Sequence, residues 1–279
     1  QGNSMAVGLE KAFHVPAFLS GSLCMIAMAA VLTGGMKRIA VLTEKLVPVM
    51  AFIYLSGALT VLFFYRNRIG EAFVLIFQDA FHTSAAVGGV TGYSVKQAVR
   101  MGIARGIFSN EAGLGSSVMA HAQSDVEEPR IQGMWGILEV FIDTILVCTI
   151  TALVILVSEV PYYQNAGMDG TTLTGMAFAS VIPWGKEFLA GSTALFAFAT
   201  MIGWSYFGAQ TADYLAGEKG VKAYRLCYIL ITLPGCMVAP TMIWELADAL
   251  NGMMAIPNLL ALFFLGSEVE YKKRKNNLG

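Results

Sequence analysis

Residues Arg105 to Ser117 place a guanidinium, three hydroxyls, an amide and a carboxylate among closely spaced glycines, in a chain that is 56% hydrophobic. Backbone that is not helical cannot be satisfied by hydrocarbon, so at membrane depth it must line a cavity or lie within protein. Ionisable side chains there are costly and usually functional. Ser, Asn and Gly are poor helix residues, so Phe108 to Ser116 predicts a break. A break leaves free C=O groups on one half-helix and free N–H groups on the other. The first favours a cation and the second an anion such as a carboxylate. Transporters use this device near the bilayer midplane. Close packing through glycine alone would not call for Asn110 and Glu111.

Three further groups could do chemistry. Thr200 and Trp204 are four apart and share a helical face. Thr200 offers a hydroxyl oxygen of the kind a small hard cation takes. Trp204 can wall a small-solute pocket, though an interhelical aromatic reads equally well. Asp143 lies in an apolar stretch with Thr144, Thr149 and Thr151 near it. It either binds a cation or pairs with an intramembrane arginine such as Arg105, and a structural pair is favoured. Asp248 and Asn251 are three apart and read as structural polar contacts. His14 and His82 are loop-side, and His121 is interfacial.

The elements that position these groups are membrane helices. Only 13% of residues are charged, against about 25% in a soluble domain. Transmembrane helices need about 20 mostly apolar residues. Val15 to Gly35, Leu46 to Tyr65 with Pro48 in its first turn, the atypical Ser94 to Gln123, and Ile131 to Ser158 qualify. So do Phe188 to Ala212, Tyr224 to Pro240 and Ile243 to Leu265. Ser94 reads as an N-cap. Glu71 to Val90 is apolar but interrupted, and reads as a half-buried external helix. In the long loop from Glu159 to Lys186, Thr172 to Ser180 predicts a short helix, either a lid or a connector.

Alternating the faces from Val15 puts eleven Lys and Arg on one side and five on the other, with Arg100 and Arg105 inside the third segment. Positive charge marks the cytoplasm, so the C-terminus is expected inside, in a plasma membrane. A net charge of −1 carries no nucleic-acid footprint. Cys24, Cys148, Cys227 and Cys236 have no metal-like spacing. No nucleotide loop, metal cluster or Ser/His/Asp arrangement is present. His121 with Ser116 or Ser117 is the one weak nucleophile candidate, so no enzyme and no cofactor are expected.

At these residues the chain resembles the alanine or glycine:cation symporters, also called the sodium:alanine symporters. The likeness is carried by Gly102 to His121, by Gln132-Gly133, by Val140 to Thr144 with Cys148 to Leu153, by Ile202 to Tyr206, and by Asn251 to Leu259. Gly34-Gly35 with Lys37 to Ile39, and Pro48 with Met50, also fit. Ala199, where the family often shows a second Thr, and Gln210, where an acid is common, depart from it.

The resemblance implies an all-α, LeuT-type fold of two inverted five-helix repeats. Residues 1–93 would end the first repeat, 94–265 would form the second with its first helix broken near 108–116, and 266–279 would be a basic cytoplasmic tail. It implies Na⁺- or H⁺-coupled uptake of alanine, glycine or a similar small neutral amino acid. Gln97, Asn110, Glu111, Ala112, Gly113 and Trp204 would serve the substrate, and Thr200 the sodium ion. Arg105, Asp143, Asp248 and Asn251 would be structural. Gln1 to Leu9 reads like the tail of a helix already under way. That predicts a fragment without the first repeat's own broken helix, one that does not transport alone.

Overall fold

The computed structural model describes residues 1–81, 89–111, 113–158, 160 and 170–276. Among these, every regular element is helical. The chain divides into two compact units, one of Gln1–His82 with Leu146–Pro240 and one of Thr83–Ile145 with Thr241–Gly279.

The first unit opens with α1 (Gly2–Phe13) and α2 (Ala17–Leu32). Pro16 sets the start of α2, and its carbonyl takes the N–H groups of Leu19 and Ser20 at 2.9 and 3.1 Å. α2 has 16 residues, about 24 Å at 1.5 Å per residue, which is shorter than an untilted span requires. α3 (Gly35–Phe64) has 30 residues and carries Pro48 in its interior. The expected first-turn place for Pro48 is therefore corrected. The helix begins with the polar stretch around Lys37, and Pro48 simply forgoes the bond to the carbonyl of Glu44. A 3₁₀ turn at Arg66–Arg68 leads into α4 (Ile69–Phe81). At 13 residues, α4 is shorter than a span; residues 82–88 of the expected 71–90 segment lie outside the described residues, and Gly89 and Val90 belong to the next helix.

α8 (Cys148–Val157), α9 (Gly170–Ala179) and α10 (Gly185–Met237) complete this unit. α9 is the short helix expected in the long loop. α10 runs 53 residues in hydrogen-bond pattern, but Gly217 has φ 62° and ψ −157°. Only glycine adopts that backbone without strain. The chain folds back there, because Tyr228 Oη donates to Met201 O at 2.8 Å across 27 residues. The expected spans from Phe188 and from Tyr224 are thus the two arms of one hairpin.

Two apolar clusters hold the unit. Met5, Met28, Leu32, Ile202 and Cys236 join α1 and α2 to both arms of α10. Tyr54, Val61, Val154, Val157, Phe178 and Leu189 join α3, α8, α9 and the first arm. Thr151 Oγ1 donates to Val147 O at 2.9 Å. Its lone pairs are then left for the Tyr54 hydroxyl, 2.6 Å away, so Tyr54 is the donor. Thr151→Val would strand that phenol, which sits on a side chain only 8% exposed. A loss of about 1.5 kcal/mol is expected, read as a lower melting temperature in detergent. Adding Tyr54→Phe should recover most of it.

The second unit contains α5 (Gly89–Asn110), α6 (Ser117–His121), α7 (Pro129–Val140) and α11 (Pro240–Asn276). α5 starts five residues before the expected cap at Ser94, running through Gly92 despite its poor helix propensity. α7 continues through a π-helical stretch, Phe141–Val147, into α8. By length and composition, four described helices can cross a membrane: Val41–Phe64, Pro129–Val157, Gly185–Met237 and Met242–Gly266.

Candidate functional site

The polar groups expected to matter converge where α5 stops. The helix runs through Ser109 and Asn110 and ends there. Glu111 has φ 55°, and Gly113 and Gly115 have φ 90° and 83°. A non-glycine residue in the left-handed region is uncommon and marks a constrained turn. The Ser116 hydroxyl donates to Glu111 Oε2 at 2.5 Å. That bond closes the irregular loop on itself and keeps the carboxylate inside it. Ser116 is buried at 2% exposure.

The break predicted from Phe108 to Ser116 is therefore real but shorter, since Phe108, Ser109 and Asn110 are still helical. The far half differs more. α6 has only five residues, and its first N–H groups are partly spent in turns, with Met119 N on Ser116 O at 3.1 Å. The expected N–H end for an anion is reduced to little more than one turn.

Around the end of α5 the contacts are specific. Ser109 Oγ donates to Asp143 Oδ2 at 2.5 Å. Asn110 Nδ2 donates to Thr144 Oγ1 at 3.0 Å. Thr144 Oγ1 lies 3.3 Å from Asp143 Oδ2. Asp143 and Thr144 are consecutive residues of the π-helical stretch. Such wide turns are rare and frequently sit at functional sites. Asp143 is thus held by hydroxyls and not by Arg105.

Arg105 turns to α11. Its Nη2 donates to both oxygens of Asp248. Its guanidinium lies 4.6 Å from the Trp244 ring centre and 5.6 Å from that of Phe108. Trp244 and Asp248 are four apart, so one face of α11 supplies both the ring and the carboxylate. Asn251 is half-buried on the same helix. Farther along, a Cβ placed on Gly115 would meet Asn258 Oδ1 at 2.7 Å. α11 is therefore fitted to α5 and to the loop after it.

The remaining expected residues fall elsewhere. Thr200 and Trp204 are in the first unit, both half-buried on the first arm of α10. Thr200 Oγ1 donates to Phe196 O at 2.8 Å, which leaves its lone pairs available. Trp204 packs edge-on against Phe207 at 5.9 Å. Ala112 and the side chain of Gln97 lie outside the described residues. In the first unit, α1, α9 and α10 also enclose a cavity of about 260 Å³ with Lys11, Thr171, Thr172 and Lys186 on its wall.

Sequence reasoning missed the Trp244 stack and Asn258 beside Gly115. The i to i+4 spacing of Trp244 and Asp248 was the available signal for the first. His121 also has company, since its Nδ1 is 2.7 Å from Gln132 Nε2 and its Nε2 is 3.6 Å from Glu139. Ser116, engaged with Glu111, and His121, engaged with Gln132 and Glu139, make no nucleophile pair.

Several helices long and apolar enough to cross a membrane, beside a helix that stops at a polar loop, mark a multi-pass membrane protein. The chain belongs to the sodium:alanine symporter family, whose model matches residues 1–276. That is a family of transporters and not of enzymes. The chain is similar to the sodium/alanine symporter AgcS of Methanococcus maripaludis, with 37% identity over 270 residues, 96% of this chain and 59% of that protein. It is 35% identical to the probable sodium/glutamine symporter GlnT of Bacillus subtilis over 271 residues, 96% of this chain and 55% of that protein. It is 30% identical over 298 residues to the putative sodium/proton-dependent alanine carrier protein YrbD of Bacillus subtilis, covering 99% of this chain and 60% of that protein. The chain spans somewhat under two thirds of the length of these relatives.

Proposed function

We propose that the protein serves secondary active uptake of alanine, glycine or a similar small neutral amino acid, coupled to Na⁺ or to H⁺. The observation that carries this is the interrupted α5, with Ser109 and Asn110 at its end and a left-handed turn directly after. The names of the relatives support the amino acid and the sodium ion, and YrbD's supports the proton as an alternative. On this reading the fold is the LeuT type, with residues 94–265 as the second inverted repeat. Asn110, Glu111, Ala112 and Gly113 shape the substrate site, together with Gln97 and Trp204. Thr200 contributes a sodium ligand. The C-terminus lies in the cytoplasm, a placement supported by the excess of Lys and Arg on that side.

Coupling of this kind is thermodynamic. Cation and amino acid each favour the same conformation, so binding of one raises affinity for the other. The helix break suits this role, because an end with few helical bonds can change shape at low cost.

The test is uptake of radiolabelled alanine, glycine and glutamine by the purified full-length protein in liposomes. It would be run with an inward Na⁺ gradient, an inward H⁺ gradient and none. Na⁺-driven uptake of the small amino acids is expected, with at least a tenfold fall in Asn110→Ala. Uptake indifferent to both gradients would overturn the symporter reading. Gradient-driven uptake untouched by the substitution would move the site away from α5.

A further inference from the structure

His121 closes α6, and its ring ends a hydrogen-bond chain whose polarity can be read. The Val126 N–H donates to Ser124 Oγ at 3.2 Å, and the Ser124 hydroxyl donates to Gln132 Oε1 at 2.8 Å. The Gln132 carboxamide is thereby oriented, with its NH₂ toward His121 Nδ1, 2.7 Å away. An amide nitrogen only donates, so Nδ1 accepts. The ring is neutral in this arrangement, and its one proton sits on Nε2. That nitrogen faces Glu139 Oε2 at 3.6 Å and lies over Gly136, where an added Cβ would come within 3.4 Å of it. Gln132, Gly136 and Glu139 are spaced four and three apart, so one face of α7 receives the whole ring.

A second proton on the ring changes every bond in the chain. Nδ1–H would meet the Gln132 NH₂, donor against donor, so the carboxamide must turn over. Its oxygen then accepts from Nδ1, and its nitrogen donates to Ser124 Oγ. The chain survives with reversed polarity. The gain is at Nε2, where a neutral contact becomes a charge-assisted bond to the Glu139 carboxylate. Of the other charged groups close in sequence, Asp125, Glu127 and Glu128 lie in the connection from α6 to α7, and Arg130 in the first turn of α7. Among the described residues, Glu139 is the one that pairs with the ring. The protonated ring therefore holds α6 to α7 more tightly than the neutral one.

α6 directly follows the loop that Ser116 and Glu111 close. A transport cycle has to reshape that loop, and α6 must move with it. We propose that His121 is a proton-operated latch between α6 and α7, which slows transport when the face carrying their connection is acid. On the orientation inferred above, that face is cytoplasmic. The proton sets the rate and is not cargo, so the latch is distinct from any coupling-ion site. It rests on the transport reading. An imidazole suits the task because it changes charge between about pH 5 and 8.

The experiment uses the purified full-length protein in liposomes, with saturating Na⁺ outside and the same pH on both faces. Initial alanine uptake is measured from about pH 8 down to about pH 5.5, across the imidazole range. A fall of about three- to fivefold is expected in the wild type, the size that a partly exposed ion pair supports. His121→Gln should stay fast throughout. Glu139→Gln removes the ion pair at a side chain 67% exposed, where folding is little affected, and should lose most of the fall. Gln132→Glu presents only acceptors to Nδ1, so it should hold the ring protonated and be slow even at the alkaline end. Melting temperature gives a reading independent of transport, since acid should raise the wild type above Glu139→Gln. A wild-type pH profile kept by either His121→Gln or Glu139→Gln would overturn the latch, and so would a wild-type rate that is flat or rises in acid. Absence of gradient-driven uptake at every pH would defeat the transport reading itself. The latch would then fall only if the two melting temperatures also failed to diverge in acid.

Discussion

Arg105→Ala is expected to lower stability in detergent by about 3 kcal/mol and to cut uptake at least tenfold. Removing one partner of a shielded ion pair leaves the other charge uncompensated, which costs about 3–5 kcal/mol in protein interiors. The lower end applies here, because each side chain keeps about a third of its surface exposed, at 35% and 33%. The guanidinium also lies over Trp244, and that stack goes with it. Arg105→Lys should restore only part, since an ammonium has no planar fork for the carboxylate and no flat face for the indole. Arg105→Ala combined with Asp248→Asn should be more stable than Arg105→Ala alone, because no unpaired charge remains. Melting curves of the wild type, Arg105→Ala, Asp248→Asn and the double variant form a double-mutant cycle. Additive effects within about 0.3 kcal/mol would show that the pair does not join α5 to α11.

Gly115→Ala should rank next, at about 2 kcal/mol with a matching loss of transport. Two costs combine. A φ of 83° suits glycine and strains any residue with a Cβ. The added methyl would also sit 2.7 Å from Asn258 Oδ1 and 2.9 Å from its Cγ. Asn258 is short and cannot swing far, so either α11 or the loop must shift. Asn258→Gly in the same protein should relieve the contact and leave only the backbone strain. Thermal unfolding and alanine binding separate the two. An unchanged melting temperature in Gly115→Ala would mean that the loop carries no such constraint.

The helices were legible because their signals are local. Apolar runs, the glycine-rich interruption after Asn110 and the short helix before Ser180 are each set by a dozen residues or fewer. The extent of the break was less legible. Ser109 and Asn110 are poor helix formers, yet they stay helical because Asp143 and Thr144 hold their side chains, and that contact spans 34 residues of sequence. Propensity cannot see it. The π-helical turn that enables the contact leaves no compositional trace in Phe141 to Val147. For the same reason sequence alone cannot tell that Arg105 pairs with Asp248 and not with Asp143. Two charges of opposite sign in apolar helices invite pairing, but the choice between Asp143 and Asp248 for Arg105 is made by tertiary placement, with Trp244 as the deciding neighbour. Pro48 shows the reverse error. It reads as a start signal, yet α3 begins 13 residues before it.

The turn at Gly217 has a mechanical consequence. A helix of 53 residues would measure about 80 Å if straight, well beyond a bilayer core of about 30 Å. The turn at Gly217 divides it unequally, into arms 185–216 and 218–237 of about 48 and 30 Å. Longer connections let two helices slide against each other. A single-residue turn, braced by Tyr228 on the Met201 carbonyl, does not. The two arms are therefore expected to tilt together, with Gly217 at their shared tip.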